Sequence, residues 1–278
     1  MQAQLVASQR GWRWLAEGWK IFRSAPVMWL ALVFGYWMLM TVVSIVPFAG
    51  VAAVLVLVPG FSVAFMAASR VAEHGQPIQM TLLFAGFREN VRAQLGLGAA
   101  YLVAIAVLLS LTTLADDGAL ARWMLTGARP TAEVLQSDGF LLALMLAALL
   151  YAPVMMLFWF APTLVAWHAL PAPKALFFSL FACLVNWRAF MVYGAASALV
   201  LVVAPFMAMF VLMLFSGGAL RPAAMAVLFP FILSLMPTLF ASFYASYRDI
   251  FSEQGGSDEP PVPPRSRVVG RNRGQTVG

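Results

Sequence analysis

The segment Val27–Ser69 reads VMWLALVFGYWMLMTVVSIVPFAGVAAVLVLVPGFSVAFMAAS and contains no charged residue. A membrane-spanning helix needs about 20 predominantly apolar residues, so this segment is too long for one span and suits two. Its centre, Val46–Gly50, contains Pro and Gly, which commonly interrupt helices. The segment therefore predicts two spans, at about 27–46 and 50–69, joined by a tight turn.

The composition of the whole chain predicts an integral membrane protein. Of its 278 residues 63% are hydrophobic and 10% charged, whereas a soluble domain has about 25% charged residues. Four further apolar segments predict spans at about 95–115, 139–170, 189–215 and 223–247. We therefore expect an all-α fold with six transmembrane helices. Residues 1–26 are expected to form a cytoplasmic interfacial helix, and the Gly- and Pro-rich tail 251–278 is expected to be disordered.

The distribution of basic residues predicts the orientation. With six spans, all but three of the 17 Lys and Arg residues fall on the side of the termini, the exceptions being Arg122, Arg129 and Arg221. Positive charge next to spans is retained in the cytoplasm, so we expect both termini to be cytoplasmic in a bacterial inner membrane. The same residues attract anionic headgroups, and they explain the net charge of +6 without a nucleic-acid partner.

An amphipathic stretch precedes each pair of spans. In the first, Trp12, Leu15, Trp19 and Phe22 recur at helical spacing, with basic residues on the opposite face. The second is predicted over Met80–Val91, and the third over Lys174–Arg188. Such helices are expected to lie in the plane of the membrane interface.

The second span of each pair contains a related proline motif. The motifs are PGFSVA at Pro59, PTLVAW at Pro162 and PTLFAS at Pro237, and we expect a helix kink at each proline. Two spans return the chain to its starting side, so repeated units run parallel. The sequence thus predicts three parallel pseudo-repeats, each an interfacial helix followed by a helical hairpin.

Polar side chains collect at the predicted cytoplasmic boundary, where we place the candidate site. One interpretation is helix termination, with Arg248 near the negative end of the last helix. A second pairs Arg248 with Glu73 or Glu89, and a third makes a lipid-phosphate pocket of three arginines. The candidate cluster is Arg88, Glu89, Arg92, His168, Asn186, Arg188, Tyr247, Arg248 and Asp249.

His168 lies six residues after Pro162 of the second proline motif and has two interpretations. As an interfacial residue it would bond to a carbonyl or a headgroup. Alternatively it would bind a ligand or sense protons. Its counterparts in the other repeats, near Ala68 and Phe243, are not histidine, which favours the first interpretation.

The predicted spans carry no charge in their cores, although ion-coupled transporters and intramembrane enzymes usually place charged residues there. The sequence has no phosphate-binding loop, zinc-protease motif or hydrolase elbow, and Cys183 is its single cysteine. The acidic loop Asp116–Asp138 matches no calcium-binding spacing. We expect no catalytic residue, no cofactor and no metal site.

Two sequences carry a resemblance to known proteins. FWFAPTLVAWHALPAPKALFFSLFACLVNWRAF, which starts at Phe158, and the closing ASFYASYRDIF resemble an uncharacterised family of bacterial six-helix inner-membrane proteins. The resemblance covers nearly all of Gly11–Phe251 and implies the architecture without an activity. The repeats are also distantly similar to the membrane domain of some glycerophosphodiester phosphodiesterases, whose soluble catalytic domain has no counterpart here.

These features favour a non-enzymatic scaffold or accessory subunit that contacts membrane lipids or a partner membrane protein. The alternative is a permease or flippase-like carrier of an apolar or lipidic substrate. A carrier would have an inward-opening cavity around Thr163 and Thr238, between the three proline-bearing helices. An enzyme using His168 or His74 on lipids is the weakest hypothesis.

Overall fold

The computed structural model of the protein describes residues 3–47, 49–88, 90–216 and 221–251. These ranges are helical, with no strand. Glu89 and the tail 252–278 lie outside the described residues. The helices are α1 (Arg10–Ser24), α2 (Pro26–Ser44), α3 (Gly50–Glu73), a 3-10 helix (Met80–Phe87), α4 (Val91–Asp116), α5 (Ala119–Thr126), α6 (Ala132–Leu135), α7 (Asp138–Phe158), α8 (Ala161–His168), α9 (Ala172–Val185), α10 (Trp187–Ala198), a π-helical segment (Leu199–Val203), α11 (Ala204–Ser216) and α12 (Arg221–Phe251).

Five helical segments of the described chain are long and apolar enough to cross a membrane. They are Pro26–Ser44, Gly50–Glu73, Val91–Asp116, Asp138–His168 and Trp187–Val211, and each overlaps a predicted span. The last helix, α12, has 31 residues, more than the roughly 20 that a span requires. The sixth span stays a prediction.

Helix α1 packs into the bundle through a different face from the one that the sequence pattern indicates. Its buried residues are Gly11, Trp14, Leu15, Gly18, Ile21 and Phe22, whereas Trp12 and Trp19 are 50% and 38% exposed. The buried stripe is thus rotated by about a quarter of a turn from the predicted one. Glycine explains the rotation, because a Cβ at Gly18 would lie only 2.5 Å from the Thr238 carbonyl oxygen of α12.

Within the amphipathic stretch predicted over Met80–Val91, the segment Met80–Phe87 is a 3-10 helix. A Cβ on Gly86 would overlap the carbonyl oxygen of Gly60, and the ring of Phe87 lies where a Cβ on Gly60 would be. This close packing on α3 takes precedence over the 3.6-residue period. The chain then turns at Asn90, whose φ is 51°, and α4 begins.

The three prolines of the predicted repeat behave differently. Helices α3 and α12 continue without a break through Pro59 and Pro237. At Pro162, however, the long predicted span divides into α7 and α8, and the proline lies in the first turn of α8, where its missing N–H costs nothing. The Ser179 hydroxyl bridges this break, accepting from Phe160 N at 2.9 Å and donating to Met156 O at 2.7 Å.

Candidate functional site

The first and last helices are joined by a network of ion pairs at the end of the bundle where the first and last described residues lie. Arg248 of α12 pairs with Glu17 of α1 and Glu73 of α3. Asp249 accepts from Arg10 Nε at 2.5 Å, and Arg10 also pairs with Glu17 at 3.1 Å. We call Arg10, Trp14, Glu17, Glu73, Tyr244, Arg248 and Asp249 the terminal network.

Aromatic side chains extend the terminal network into the core. Trp14 donates from Nε1 to Asp249 at 2.7 Å, and Tyr244 donates to Glu73 at 2.8 Å. The Asp249 side chain is 12% exposed and that of Arg248 33%. Burial acts to lower the pKa of Arg248, but the carboxylates of Glu17, Glu73 and Asp249 outweigh it and raise this pKa above its ordinary value. The guanidinium therefore stays charged and paired.

Asn186 fastens the N-terminal segment to the bundle. Its side chain is 2% exposed and lies between α9 and α10. Its Oδ1 accepts from Val6 N at 2.8 Å, while Nδ2 donates to the carbonyl oxygens of Gln4 and Ala182, each at 3.0 Å. Gln4 N donates in turn to Ile250 O at 2.9 Å. Asn186 thus ties the first described residues to the last helix.

His168 lies 2.6 Å from the Tyr247 hydroxyl, measured from Nε2. From the sequence we expected His168 to bond to a carbonyl group or a lipid headgroup. The structure adds a further partner, the Tyr247 side chain of α12. Trp167 packs edge-on against Tyr247 with ring centroids 5.1 Å apart, and the Arg70 guanidinium lies 5.2 Å from the Trp167 ring. At the C-terminal end of α3, His74 Nδ1 lies 2.7 Å from the carbonyl oxygen of Arg70.

Among the described residues, the three arginines of the hypothetical phosphate pocket have separate surroundings. Arg88 donates to Thr81 O at 2.9 Å, Arg188 lies over the Trp187 ring at 5.5 Å, and Arg92 is exposed. The structure therefore separates exposed basic residues from the paired guanidiniums of the terminal network.

Sequence reasoning missed most of the α1 half of the terminal network. The charged residues of α1, Arg10 and Glu17 among them, fall on the face opposite the predicted apolar stripe, where we expected contact with lipid headgroups. The spacing of seven residues between Arg10 and Glu17 places both beside Trp14 on one helix face. The spacing of Gly11 and Gly18 was the signal that this face is buried.

Besides a cavity of about 340 Å³ next to Asn186 and the N-terminal segment, two regions of the described bundle contain cavities lined mainly by apolar side chains. One, of about 310 Å³, lies between α1, the π-helical segment and α12, and we call it the inner cavity. Thr238 lines it, whereas Thr163 is 1% exposed and is not part of its lining. The inner cavity is lined by Trp12, Leu15, Ala16, Trp19, Val200, Leu201, Leu235 and Thr238.

The second region lies at the other end of the bundle from the terminal network, between the start of α3 and the second half of α4. Three adjoining cavities of about 480, 400 and 210 Å³ meet at Leu55 and Leu125, and together we call them the distal groove. Asp116 in the neighbouring acidic loop accepts from Gly118 N at 3.0 Å and Leu120 N at 2.6 Å. Within the described ranges, no three His, Cys, Asp or Glu residues group as metal ligands.

The chain is similar along almost its full length to a probable inner membrane protein of Burkholderia thailandensis. The two are 40% identical over 276 residues, which cover 95% of this chain and 97% of the relative. The chain belongs to the family of this inner membrane protein. With its long apolar helices, it is a multi-pass inner-membrane protein. No family profile matches the chain, and no solved structure does.

Proposed function

We propose that the protein is a non-enzymatic scaffold or accessory subunit, which contacts lipids and partner membrane proteins. The observation that carries this proposal is the terminal network, in which the charged side chains of α1, α3 and α12 hold one another. A catalytic centre would direct such groups towards a substrate. Here they join helices.

Six transmembrane helices with both termini in the cytoplasm are part of the proposal. Its support is the asymmetry of basic residues and the length of α12. Three parallel pseudo-repeats would account for the order of a short helix and two long ones, repeated along the chain. In this orientation the terminal network lies at the cytoplasmic face.

Exposed basic residues support contact with anionic headgroups at that face. They carry no role in the terminal network and lie beside the predicted boundaries of the spans, where each adds about 1 kcal/mol of attraction to an anionic membrane surface. They are Arg13, Lys20, Arg23, Arg88, Arg92 and Arg188.

Exposed apolar side chains support contact with a partner protein or with lipid tails. On α2, Phe34 is 70% exposed, and on α11, Phe206 is 73% exposed. If the protein has no partner, lipid would cover these exposed faces of α2 and α11. A partner helix on either face would be the assembly that an accessory subunit requires.

The test is capture of the full chain in nanodiscs formed from its native membrane, with mass spectrometry of the bound proteins and lipids. We expect a stoichiometric membrane protein that is lost from Trp19→Asp or Phe84→Asp, two exposed positions. The matched variants His168→Ala and His74→Ala should retain it. Loss of function in the histidine variants with partner capture intact would contradict a non-enzymatic role.

The inner cavity favours a second candidate, a carrier of an apolar or lipidic substrate. One of the two threonines expected to line such a cavity, Thr238, does so. Thr238→Trp would fill the cavity, while Thr41→Trp makes the same change at an exposed hydroxyl of α2. Loss of a growth or uptake phenotype in the first variant alone would support the carrier, and equal behaviour of the two would remove it.

A further inference from the structure

We propose that the distal groove binds one acyl chain of a membrane phospholipid and that α5 covers the chain. The groove lies beside Val51 at the start of α3, whereas Glu73 of the terminal network ends that helix. The rise of α3 from Val51 to Glu73 places the two about 33 Å apart. This site goes beyond the scaffold function and does not depend on a protein partner.

The groove has the dimensions of one leaflet. Its longest wall extends along α4 from Leu102 to Thr113. At 1.5 Å per residue this is about 17 Å, about half of the roughly 30 Å hydrocarbon core. Its largest cavity, about 480 Å³, is within the range of small-molecule sites.

The lining suits hydrocarbon because its hydroxyls are already bonded. Ser110 donates to Ala106 O at 2.8 Å, Thr113 to Ser110 O at 2.7 Å, and Ser44 to Thr41 O at 2.7 Å. In the two cavities along α4 and α5, a polar ligand would lose its water without gaining partners, which is costly. The Tyr151 hydroxyl lies 3.5 Å from that of Tyr101, and most of the remaining walls are aliphatic, such as Leu55 and Ile105.

Helix α5 forms the cover. Leu120 is 2% exposed and anchors it, whereas Met124 and Leu125 line the groove and are 58% and 51% exposed. Glycines with positive φ flank the helix, Gly118 at 81° and Gly127 at 72°. An apolar surface of this kind needs a hydrocarbon against it.

The headgroup position follows from charge. Arg122 lies on the exposed side of α5, two residues from Leu120 and from Met124, and the hydrogen bond of its Nη2 within the described residues goes to a backbone oxygen, that of Asp117, at 3.4 Å. The exposed guanidinium is available to the phosphate of a lipid whose chain enters beneath α5. The acyl chain and the phosphate thus define the ligand as a phospholipid.

The experiment uses the full chain in nanodiscs of phosphatidylethanolamine and phosphatidylglycerol that include a phospholipid with a diazirine at mid-chain. After irradiation, cross-linked peptides are mapped. We expect cross-links to concentrate on the groove walls of α4, α5 and α7, relative to the exposed face of α2 around Phe34 and Met38. An even distribution over both surfaces would overturn the proposal.

Two variants test the site directly. Ala147→Phe fills the groove from α7, and Ala152→Phe is its control, an exposed position of the same helix outside the lining. Groove cross-links should fall about tenfold in the first, the loss expected when two methylenes lose their contacts, and remain in the second. Unchanged labelling in Ala147→Phe would refute an acyl-chain site.

A milder filling variant, Met124→Trp at an exposed position of α5, serves if Ala147→Phe does not fold, and it should lower the same cross-links. Native mass spectrometry identifies the occupant. A retained phospholipid supports the proposal, while a free fatty acid, a non-lipid molecule or a second protein chain in the groove overturns it. Partner capture by Met124→Trp, measured in parallel, separates this site from the scaffold function.

Discussion

Arg10 and Asp249 are 239 residues apart in sequence and form a hydrogen-bonded ion pair, with Nε and Oδ2 2.5 Å apart. Asp249 also accepts from the buried Trp14. One carboxylate therefore receives both a charge and an indole N–H from α1. Removal of the Asp249 carboxylate should therefore weaken the contact between the first and last helices more than removal of any exposed charge.

Asp249→Asn should destabilise the protein by about 1–3 kcal/mol, because Arg10 and Trp14 lose a charged acceptor. Thermal unfolding in detergent micelles measures the effect. Asp117→Asn is the control, since it makes the same change at an exposed position of the acidic loop. Equal melting temperatures for the two variants would mean that the pair adds nothing to stability.

Glu73 and Arg248 should be energetically coupled through the α3–α12 contact. A double-mutant cycle of Glu73→Gln and Arg248→Gln should give a coupling of about 0.5–3 kcal/mol, the range for directly contacting residues. Chemical or thermal unfolding of the four proteins supplies the values. Strict additivity would show that Arg248 is held by Glu17 and Asp249 alone.

Asn186→Ala should release the N-terminal segment, since Val6 N and Gln4 O lose their side-chain partners. Each 1.4 kcal/mol lost corresponds to about tenfold faster amide exchange. Hydrogen–deuterium exchange of residues 3–8 measures it, with Gln76→Ala at an exposed loop position as the control. Exchange that stays as slow as in the unaltered protein would contradict this clamp.

Cys183 should resist alkylation. Burial raises the pKa of its thiol to about 12, so the reactive thiolate is scarce at pH 7 to 9. Maleimide should label the folded protein poorly and the denatured protein fully. Rapid labelling of the native chain would show that α9 opens, because the side chain is 2% exposed.

This unreactive thiol provides a background for testing the orientation. Gln136→Cys lies in the loop before α7 and Gln76→Cys in the loop after α3, both exposed. In intact cells a membrane-impermeant maleimide should label the first and reach the second only after permeabilisation. The reverse pattern would place the termini outside the cytoplasm.

The charge-free runs were sufficient to predict five helical segments, because the bilayer thickness sets the length of a span and each run is long enough to cross it. The packing of α1 could not be found in this way. Its predicted stripe of Trp12 and Trp19 faces the inner cavity, and close contact at Gly18 selects the neighbouring stripe. Hydrophobicity cannot distinguish these faces, because both are apolar.

The polar cluster was predicted in part. Arg248 does pair with Glu73, but its second carboxylate comes from Glu17. Likewise, Asn186 was placed at the boundary without its partners in the N-terminal segment. Sequence spacing does not give these contacts, since they depend on how distant helices are arranged in three dimensions.

The packing of α1 against α12 has a consequence for biosynthesis. Trp14 leaves the ribosome early, but the carboxylate that accepts its indole N–H is 235 residues later. At about 5–20 residues per second, α1 remains without this contact for tens of seconds. The first helix to be made is thus among the last to reach its final neighbours. A chaperone or the bilayer surface must therefore cover the face of α1 that carries Trp14 throughout translation.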